Sequence, residues 1–305
     1  MTRTPAAIWR DYWFRPVAPD ALGLCRILFY ATLLALYGGE DFTFVAALAP
    51  LHWAPISFFA ITAPAGPPPG ATLAALDFVW KLGLLGAMAG IATRVSTALA
   101  CLLGLYLIGL TYCVSRPSHE MAAAAIALVI FALARCGDAW SIDAMLARRR
   151  APRAVPAPSG EYRWPIRFVR VVISLAFFTA GLSKLRDGGL GWIFSDTLRL
   201  TMIEREVPLG LWLAQWPWVC RALAGSVVCI ELLHPLALVS RRAACVLIPA
   251  SIGFLLGSWL VLGIPFLPLL VLHVVWLPWN DLVASTRGAA GFAAPRRLAA
   301  RARAS

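Results

Sequence analysis

Residues 167–185, RFVRVVISLAFFTAGLSKL, form a long apolar run with a lysine one residue from its end. A helix of this length spans about 28 Å, close to the hydrocarbon thickness of a bilayer. The run therefore predicts a transmembrane helix. Lys184 has two interpretations. It is either an anchor whose long side chain reaches the membrane edge, or a base in an apolar pocket, where desolvation favours the neutral amine.

The composition of the whole chain is that of a membrane protein. Of its 305 residues, 60% are hydrophobic and 14% charged, and the mean hydropathy is +0.76. A soluble core of this size does not need so much apolar sequence. The first 19 residues show no signal-peptide pattern. We therefore expect an uncleaved integral membrane protein.

The net charge of +12 does not indicate a nucleic-acid partner, because the arginines lie between apolar runs, as topology determinants do. The seven cysteines form no C-x-x-C pair, and nearly all lie inside apolar runs. We interpret them as small buried side chains, and we predict no metal site and no disulfide framework.

Eight apolar runs are long enough to cross a bilayer. The predicted fold is all-α, a polytopic integral membrane bundle of about eight transmembrane helices. A transmembrane domain at residues 20–280 lies between basic cytoplasmic tails at 1–19 and 281–305. The predicted spans are residues 20–38, 73–92, 95–113, 119–136, 167–185, 218–239, 243–261 and 263–280. The apolar patch at 51–62 is expected to be interfacial or re-entrant. The longest polar segment, at about 186–217, has apolar patches of its own and is expected on the outer membrane surface.

The distribution of lysine and arginine orients these spans. With eight spans, both tails and the arginine-rich 136–166 loop fall on one side, and the 39–72 loop, which has no Lys or Arg, falls on the other. We expect both termini to be cytoplasmic, in a bacterial inner membrane. His119, at the start of span four, and Lys184, at the end of span five, then lie near the non-cytoplasmic face.

Ionisable residues inside a membrane are costly and indicate function unless they are paired. Asp77 and Lys81 are four residues apart on one helix face, which predicts an ion pair. Glu231 needs a partner or a proton, and His234 is the expected partner, either in a buried structural pair or in a proton-coupled transporter. His119 is either an ordinary residue at a helix start or a functional group.

Five segments carry a recognisable pattern in a fixed order. They are Arg26-Ile27-Leu28, Gly90-Ile91-Ala92-Thr93-Arg94, Ser118-His119, Ala139-Trp140-Ser141-Ile142-Asp143, and Ala180-Gly181-Leu182-Ser183-Lys184-Leu185 followed by Trp192. In order and spacing they resemble the vitamin K-dependent γ-carboxylase family, whose membrane part is the HTTM domain. The resemblance covers about residues 20–280. Taken alone, Arg26 is expected to pair with a carboxylate or to extend toward the interface.

The resemblance implies a lyase in which Lys184 is the base that deprotonates reduced vitamin K, or another quinone, and His119 assists it. In that family the deprotonated quinol reacts with oxygen to form a strong base, which removes a proton from a peptide glutamate before CO2 adds. The implied partners are a quinone, a peptide substrate and membrane lipid. The first hypothesis is therefore a quinone-dependent carboxylase-like or epoxidase-like membrane enzyme.

Two departures from the family pattern keep other hypotheses open. Gly253 stands where a histidine is expected, and within these residues we expect no large propeptide-binding domain of the clotting-factor type. The second hypothesis is a non-catalytic membrane module that binds a lipid, a quinone or a peptide partner, for example in toxin maturation. A transporter is a third, weaker hypothesis, because the two halves of the chain share no motif.

Overall fold

The computed structural model describes residues 4–115, 119–151 and 156–286, without the side chains of residues 50, 51, 57, 119 and 120. Over these residues the chain is helical, with no β-strand and one isolated bridge between Val17 and Ser159. The helices are α1 (Pro5–Phe14), α2 (Asp20–Tyr37), α3 (Phe44–His52), α4 (Ser57–Thr62), α5 (Gly70–Ala89), α6 (Thr93–Thr111), α7 (His119–Leu133), α8 (Ile142–Arg150), α9 (Trp164–Gly188), α10 (Gly191–Phe194), α11 (Thr197–Arg205), α12 (Pro208–Leu213), α13 (Pro217–Leu233), α14 (Leu236–Val239), α15 (Arg241–Leu262), α16 (Leu267–Leu272) and α17 (Trp279–Thr286). Short 3-10 turns lie at Gly160–Tyr162 and His273–Trp276.

The all-α membrane fold is confirmed, but the count of about eight spans is not. By length and apolarity, five helical segments in the described residues can cross a membrane. They are Asp20–Tyr37, Gly70–Ala89, Thr93–Thr111, Gly160–Gly188 and Arg241–Leu262. A sixth is possible if Leu267–Trp276 and Trp279–Thr286, which meet at 64°, form one bent span.

The three remaining predicted spans are short or broken. The predicted 119–136 span contains α7, whose apolar part is Met121–Leu133. In the predicted 218–239 span, α13 stops at Leu233 and a separate turn follows Pro235, which has no N–H to continue the helical hydrogen bonds. The predicted 263–280 span begins with a left-handed Gly263 and then holds only short helical pieces.

The core of the bundle is formed by α2, α5, α6 and α7. Trp80 on α5 donates a hydrogen bond to the carbonyl of Ala100 on α6 (3.0 Å), and Phe29 on α2 stacks on Phe131 of α7 at 5.1 Å. The outward faces carry large exposed apolar side chains, including Leu102, Leu133 and Val246. An exposed surface of this kind indicates contact with lipid rather than with water.

Helix α9 connects this core to the second half of the chain, because it packs against α7 on one side and α13 on the other. The short helices α10–α12 follow it and expose Phe194 and Trp212, and Trp218 is exposed at the start of α13. Such residues prefer the membrane–water interface. The N-terminal segment, predicted only as a basic tail, contains α1, and Trp13 of α1 meets Phe168 of α9 edge-on at 6.3 Å.

Candidate functional site

Lys184 and Glu231 form an ion pair between α9 and α13. Lys184 Nζ donates hydrogen bonds to Glu231 Oε1 at 2.7 Å and to Oε2 at 2.9 Å. The Glu231 side chain is 3% exposed and that of Lys184 is 24% exposed. The carboxylate is therefore buried in the protein, and the ammonium has one side open.

Gly181, one helical turn before Lys184, lets the two helices approach. A Cβ atom at this position would lie 2.9 Å from Cβ of Glu231 and 3.2 Å from the side chain of Leu232. Real Cβ atoms do not come that close, so a larger residue would push α13 away. The glycine and the lysine of the A-G-L-S-K-L segment thus serve one contact.

The open side of Lys184 faces a cavity of about 430 Å³, which we call the lysine cavity. Most of its lining is apolar and comes from α11, α13 and α15. The polar members are Lys184, Trp192, Thr197, Thr201, Ser226 and Ser258. Trp192 holds its ring 5.4 Å from Lys184 Nζ. A mostly apolar cavity of this size with a few polar groups is typical of small-molecule sites.

Two glycines of α15 create space in the lysine cavity. Gly253 and Gly257 both line it, and nothing lies within 4 Å of a Cβ built on either one. The position where the family pattern places a histidine therefore belongs to the wall of this cavity. In this chain it is open space instead of an imidazole.

The predicted pairing of Glu231 with His234 is wrong. Glu231 bonds to Lys184, whereas His234 shares a hydrogen bond between its Nδ1 and Ser174 Oγ at 3.0 Å and stacks on Phe177 at 4.5 Å. His234 lies beyond the last turn of α13, where the chain bends at Pro235, so its ring turns toward α9. The pair that would favour a proton-coupled transporter is therefore not formed.

The sequence analysis missed a polar group next to His234. The ring of His273 lies 6.0 Å from that of His234. Its Nε2 shares a hydrogen bond with the Ser251 hydroxyl at 3.0 Å, and its Nδ1 hydrogen-bonds to the carbonyl of Leu269. A sequence pattern that could have indicated this buried polar group lies on α9, where Ser174, Phe177, Gly181 and Lys184 recur every three or four residues. That spacing places them on one helix face. Phe177 contacts the rings of both His234 and His273.

His119 cannot be placed against Lys184, because its side chain lies outside the described residues. Its backbone begins α7, and α7 packs against α9. The assisting role that the resemblance implies for His119 therefore remains a prediction.

Asp77 and Lys81 form an ion pair on α5 with an Nζ–Oδ2 distance of 2.8 Å. Lys81 also donates to the carbonyl of Glu40 at 2.6 Å. Neither residue lines the lysine cavity. Their pair supports the packing of the first half of the chain and provides a natural control for substitutions of the Lys184–Glu231 pair.

Three of the five family-like segments meet around Arg26. Its guanidinium donates to the carbonyls of Cys136 (3.0 Å), Trp140 (2.5 Å) and Met88 (3.5 Å). The prediction that Arg26 pairs with a carboxylate or extends to the interface is therefore wrong, because backbone carbonyls satisfy it within the protein. Gly90, with a φ of 71°, approaches this guanidinium and Ser141 so closely that a side chain there would collide with both.

Asp143 completes this cluster at the start of α6. Its carboxylate accepts hydrogen bonds from the N–H groups of Ala92 (3.0 Å) and Thr93 (2.7 Å) and from the Thr93 hydroxyl (2.7 Å). Burial raises the pKa of Asp143, but the hydrogen bonds from Thr93 and Ala92 outweigh it and hold that pKa below its ordinary value. These segments therefore have a structural role.

Among the described residues, no three His, Cys, Asp or Glu side chains gather as a metal site requires. No curated protein and no solved structure matches the chain. The model of one family, the HTTM domain, matches residues 14–280, which include every helix from α2 to α16. The chain is therefore a member of the HTTM domain family.

Proposed function

We propose that the lysine cavity binds a reduced quinone and that the Lys184–Glu231 pair takes the proton from its hydroxyl group. The observation that supports this proposal best is the position of the ammonium, which has a buried carboxylate behind it and an apolar cavity in front. The cavity fits such a ligand, because an aromatic ring finds apolar walls there and a hydroxyl finds a charged partner.

The pair can receive a proton without leaving a bare charge in the membrane. Lys184 first gives a proton to Glu231 along the 2.7 Å hydrogen bond, and its neutral amine then accepts the proton of the ligand hydroxyl. The ammonium is restored, Glu231 is neutral, and the new oxygen anion replaces the carboxylate as the partner of Lys184. Because one anion substitutes for the other, the charge of the site is conserved.

By the family resemblance, the deprotonated quinol would supply, through its reaction with oxygen, the strong base needed for carboxylation or epoxide formation. The residues of this chain bind the ring, hold the hydroxyl at Lys184 and store the proton on Glu231. His119 is proposed as an assisting group on the strength of the resemblance. A glutamate-bearing peptide is proposed as the second substrate on the same basis.

We propose further that both termini are cytoplasmic, in a bacterial inner membrane. Arg163 and Lys184 lie at opposite ends of α9, about 31 Å apart along its axis. The arginine-rich end is the one that the positive-inside rule assigns to the cytoplasm. Lys184 then lies near the other face, where a secreted substrate can reach it.

Epoxide formation from a reduced naphthoquinone tests the enzyme proposal. The purified protein in nanodiscs, supplied with the reduced naphthoquinone under air, is expected to form epoxide. Lys184→Ala is expected to form none, and the matched control Lys81→Ala is expected to retain the activity. Loss of activity in both variants would assign the effect to damaged folding, and no epoxide from the unmodified protein would contradict catalysis with this quinone.

A non-catalytic binding module is the second candidate, and Gly253 favours it. The cavity wall lacks a second titratable group at this position, and Glu231 already satisfies the charge of Lys184. This candidate predicts that naphthoquinol or lipid binds without forming epoxide and that much of the binding survives Lys184→Ala. Filling the cavity with Gly253→Phe would abolish binding under both proposals and so identifies the site.

A further inference from the structure

A second cavity, of about 520 Å³, lies at the opposite end of α9 from Lys184. Its lining includes Arg15, Arg163, Arg167 and Arg170, and we call it the arginine cavity. The quinol proposal above makes no use of this cavity. A function of the arginine cavity is therefore tested independently of that proposal.

Three distant parts of the chain build the arginine cavity. Arg163, Arg167 and Arg170 lie on one face of α9, because their spacing is four and then three residues. The N-terminal segment that carries Arg15 is fixed by a pair of hydrogen bonds between Val17 and Ser159, at 3.2 and 3.0 Å. The third wall is the 275–281 segment.

The 275–281 wall is attached to the start of α2. The side-chain oxygen of Asn280 accepts a hydrogen bond from the N–H of Ala21 at 3.1 Å. Asn280 and Ala21 both line the cavity. Its walls are therefore held to one another by hydrogen bonds between segments remote in sequence.

The positive charge of this cavity is in excess. In the part of the chain that the structure describes, none of the four arginines has a carboxylate within ion-pair distance. Asp281 is the acidic residue of the lining, and Asp11 on α1 acts electrostatically on Arg163. Even with both carboxylates counted, two of the four positive charges remain without a negative partner. An anion bound in the cavity would neutralise them.

The present partners of the arginines leave donors available. Arg163 uses Nε to reach the carbonyl of Tyr12 at 3.0 Å, and the Arg167 guanidinium lies over the ring of Tyr12 at 4.5 Å. Arg170 is different, because it donates twice to the carbonyl of Val275 and lies over Trp276. The guanidinium of Arg170 is thus held by its own partners within the protein. Arg15, Arg163 and Arg167 have N–H groups that can donate to a ligand.

We propose that the arginine cavity binds the phosphate of an anionic phospholipid headgroup. Guanidinium groups bind phosphate oxygens in pairs with matched geometry, and basic pockets between membrane helices suit such headgroups. The position along α9 agrees, because the distance from Arg163 to Lys184 equals about one hydrocarbon thickness. The exposed apolar residues Ile8, Trp9 and Phe14 of α1 lie beside this end and favour a lipid over a free phosphate.

Lipid retention by the purified full-length protein tests the proposal. Delipidated protein in detergent is titrated with phosphatidylglycerol, phosphatidylcholine or inorganic phosphate. Bound lipid is counted by native mass spectrometry, and thermal stabilisation is recorded in parallel. We expect one tightly held phosphatidylglycerol, no comparable phosphatidylcholine and little effect of phosphate. Equal retention of both lipids, or equal stabilisation by inorganic phosphate, would overturn the headgroup assignment.

Substitutions locate the binding. Arg163→Gln/Arg167→Gln is expected to weaken phosphatidylglycerol binding roughly thirty-fold, since each arginine near an anionic surface contributes about a fivefold change. The matched control is Arg148→Gln/Arg149→Gln on the exposed α8, which should leave binding unchanged. If the control weakens binding equally, the attraction is general surface charge and the cavity is not the site.

A charge-preserving variant covers the case in which the glutamine variant does not fold. Arg163→Lys/Arg167→Lys keeps the positive charge but loses paired donation to one phosphate. We expect weaker phosphatidylglycerol binding than in the unmodified protein, from a lipid-free variant that still folds, because each ammonium group can keep a contact with Tyr12. Unchanged binding in this folded variant would overturn the proposed phosphate contact.

Discussion

At the scale of residues, the meaning of Lys184 depends on Glu231. A lysine at the end of an apolar helix is commonly an anchor that reaches water. Here its ammonium is held on a carboxylate that is almost fully buried. Such a carboxylate is expensive unless it is paired, so each charge explains the other.

Removing one charge of the pair should cost more stability than removing both. Lys184→Met leaves Glu231 buried and unpaired, and we expect a loss of up to about 3 kcal/mol, less than for a fully buried pair because Lys184 is partly exposed. Lys184→Met/Glu231→Leu should recover part of that loss. Thermal unfolding of the variants in one detergent measures both effects. A double variant that is less stable than Lys184→Met would show that the unpaired carboxylate of Glu231 is not the cause of the loss.

Asp143 gives a prediction about pH. Its pKa in the folded protein lies below the ordinary value, so its stabilising effect is complete above about pH 4 and is lost as the pH falls through the folded pKa. Asp143→Asn should therefore lower stability by about 1 kcal/mol near neutral pH and by less in acid. Melting curves between pH 3 and 7 test this. A deficit that stays constant over the whole range would show that the carboxylate charge is not involved.

At the scale of elements, the contact between α9 and α13 determines the site, and Gly181 determines the contact. The sequence analysis predicted the long apolar helix and singled out the glycine-containing segment with Lys184, whose role as a base stays a prediction. It assigned the wrong partner to Glu231, because three residues of separation on an unbroken helix would have placed His234 beside it. The bend at His234-Pro235 removed that neighbour relation, and no local pattern pointed to α9 as the partner.

Two glycine substitutions should have opposite effects. Gly181→Ala places a Cβ atom against Glu231 and should destabilise the protein by about 1–3 kcal/mol. Gly257→Ala lies in an equally regular helix with open space around it and should stabilise by up to about 1 kcal/mol. Thermal unfolding of the two variants compares them directly. A similar change in both would mean that the close approach of α9 and α13 is not what Gly181 provides.

At the scale of the whole molecule, composition and run length predicted the membrane class and the start of most long helices. The number of spans could not be obtained in this way, because α7, α13 and the segment after Gly263 are apolar but short or bent. An apolar run indicates burial, either in lipid or in protein. Whether the run forms one helix long enough to cross a bilayer depends on where prolines and glycines interrupt it.

The two proposed binding cavities lie at opposite ends of α9. One end presents arginines to a cavity suited to an anionic headgroup, and the other presents Lys184 to a cavity suited to an apolar ring. The helix has the length of the hydrocarbon layer, so each cavity lies near one edge of the membrane. A lipid at one end and a membrane-soluble ligand at the other would both enter from the bilayer.

Infrared difference spectroscopy shows whether the proton of the ligand hydroxyl ends on Glu231. Reduced naphthoquinone is added without oxygen to the protein in nanodiscs, and the carbonyl band of a protonated carboxyl group is recorded. We expect this band in the unmodified protein and in Lys81→Ala, and its loss in Glu231→Gln. Naphthoquinol that binds without producing the band, or a band that persists in Glu231→Gln, would contradict proton transfer from the ligand to Glu231.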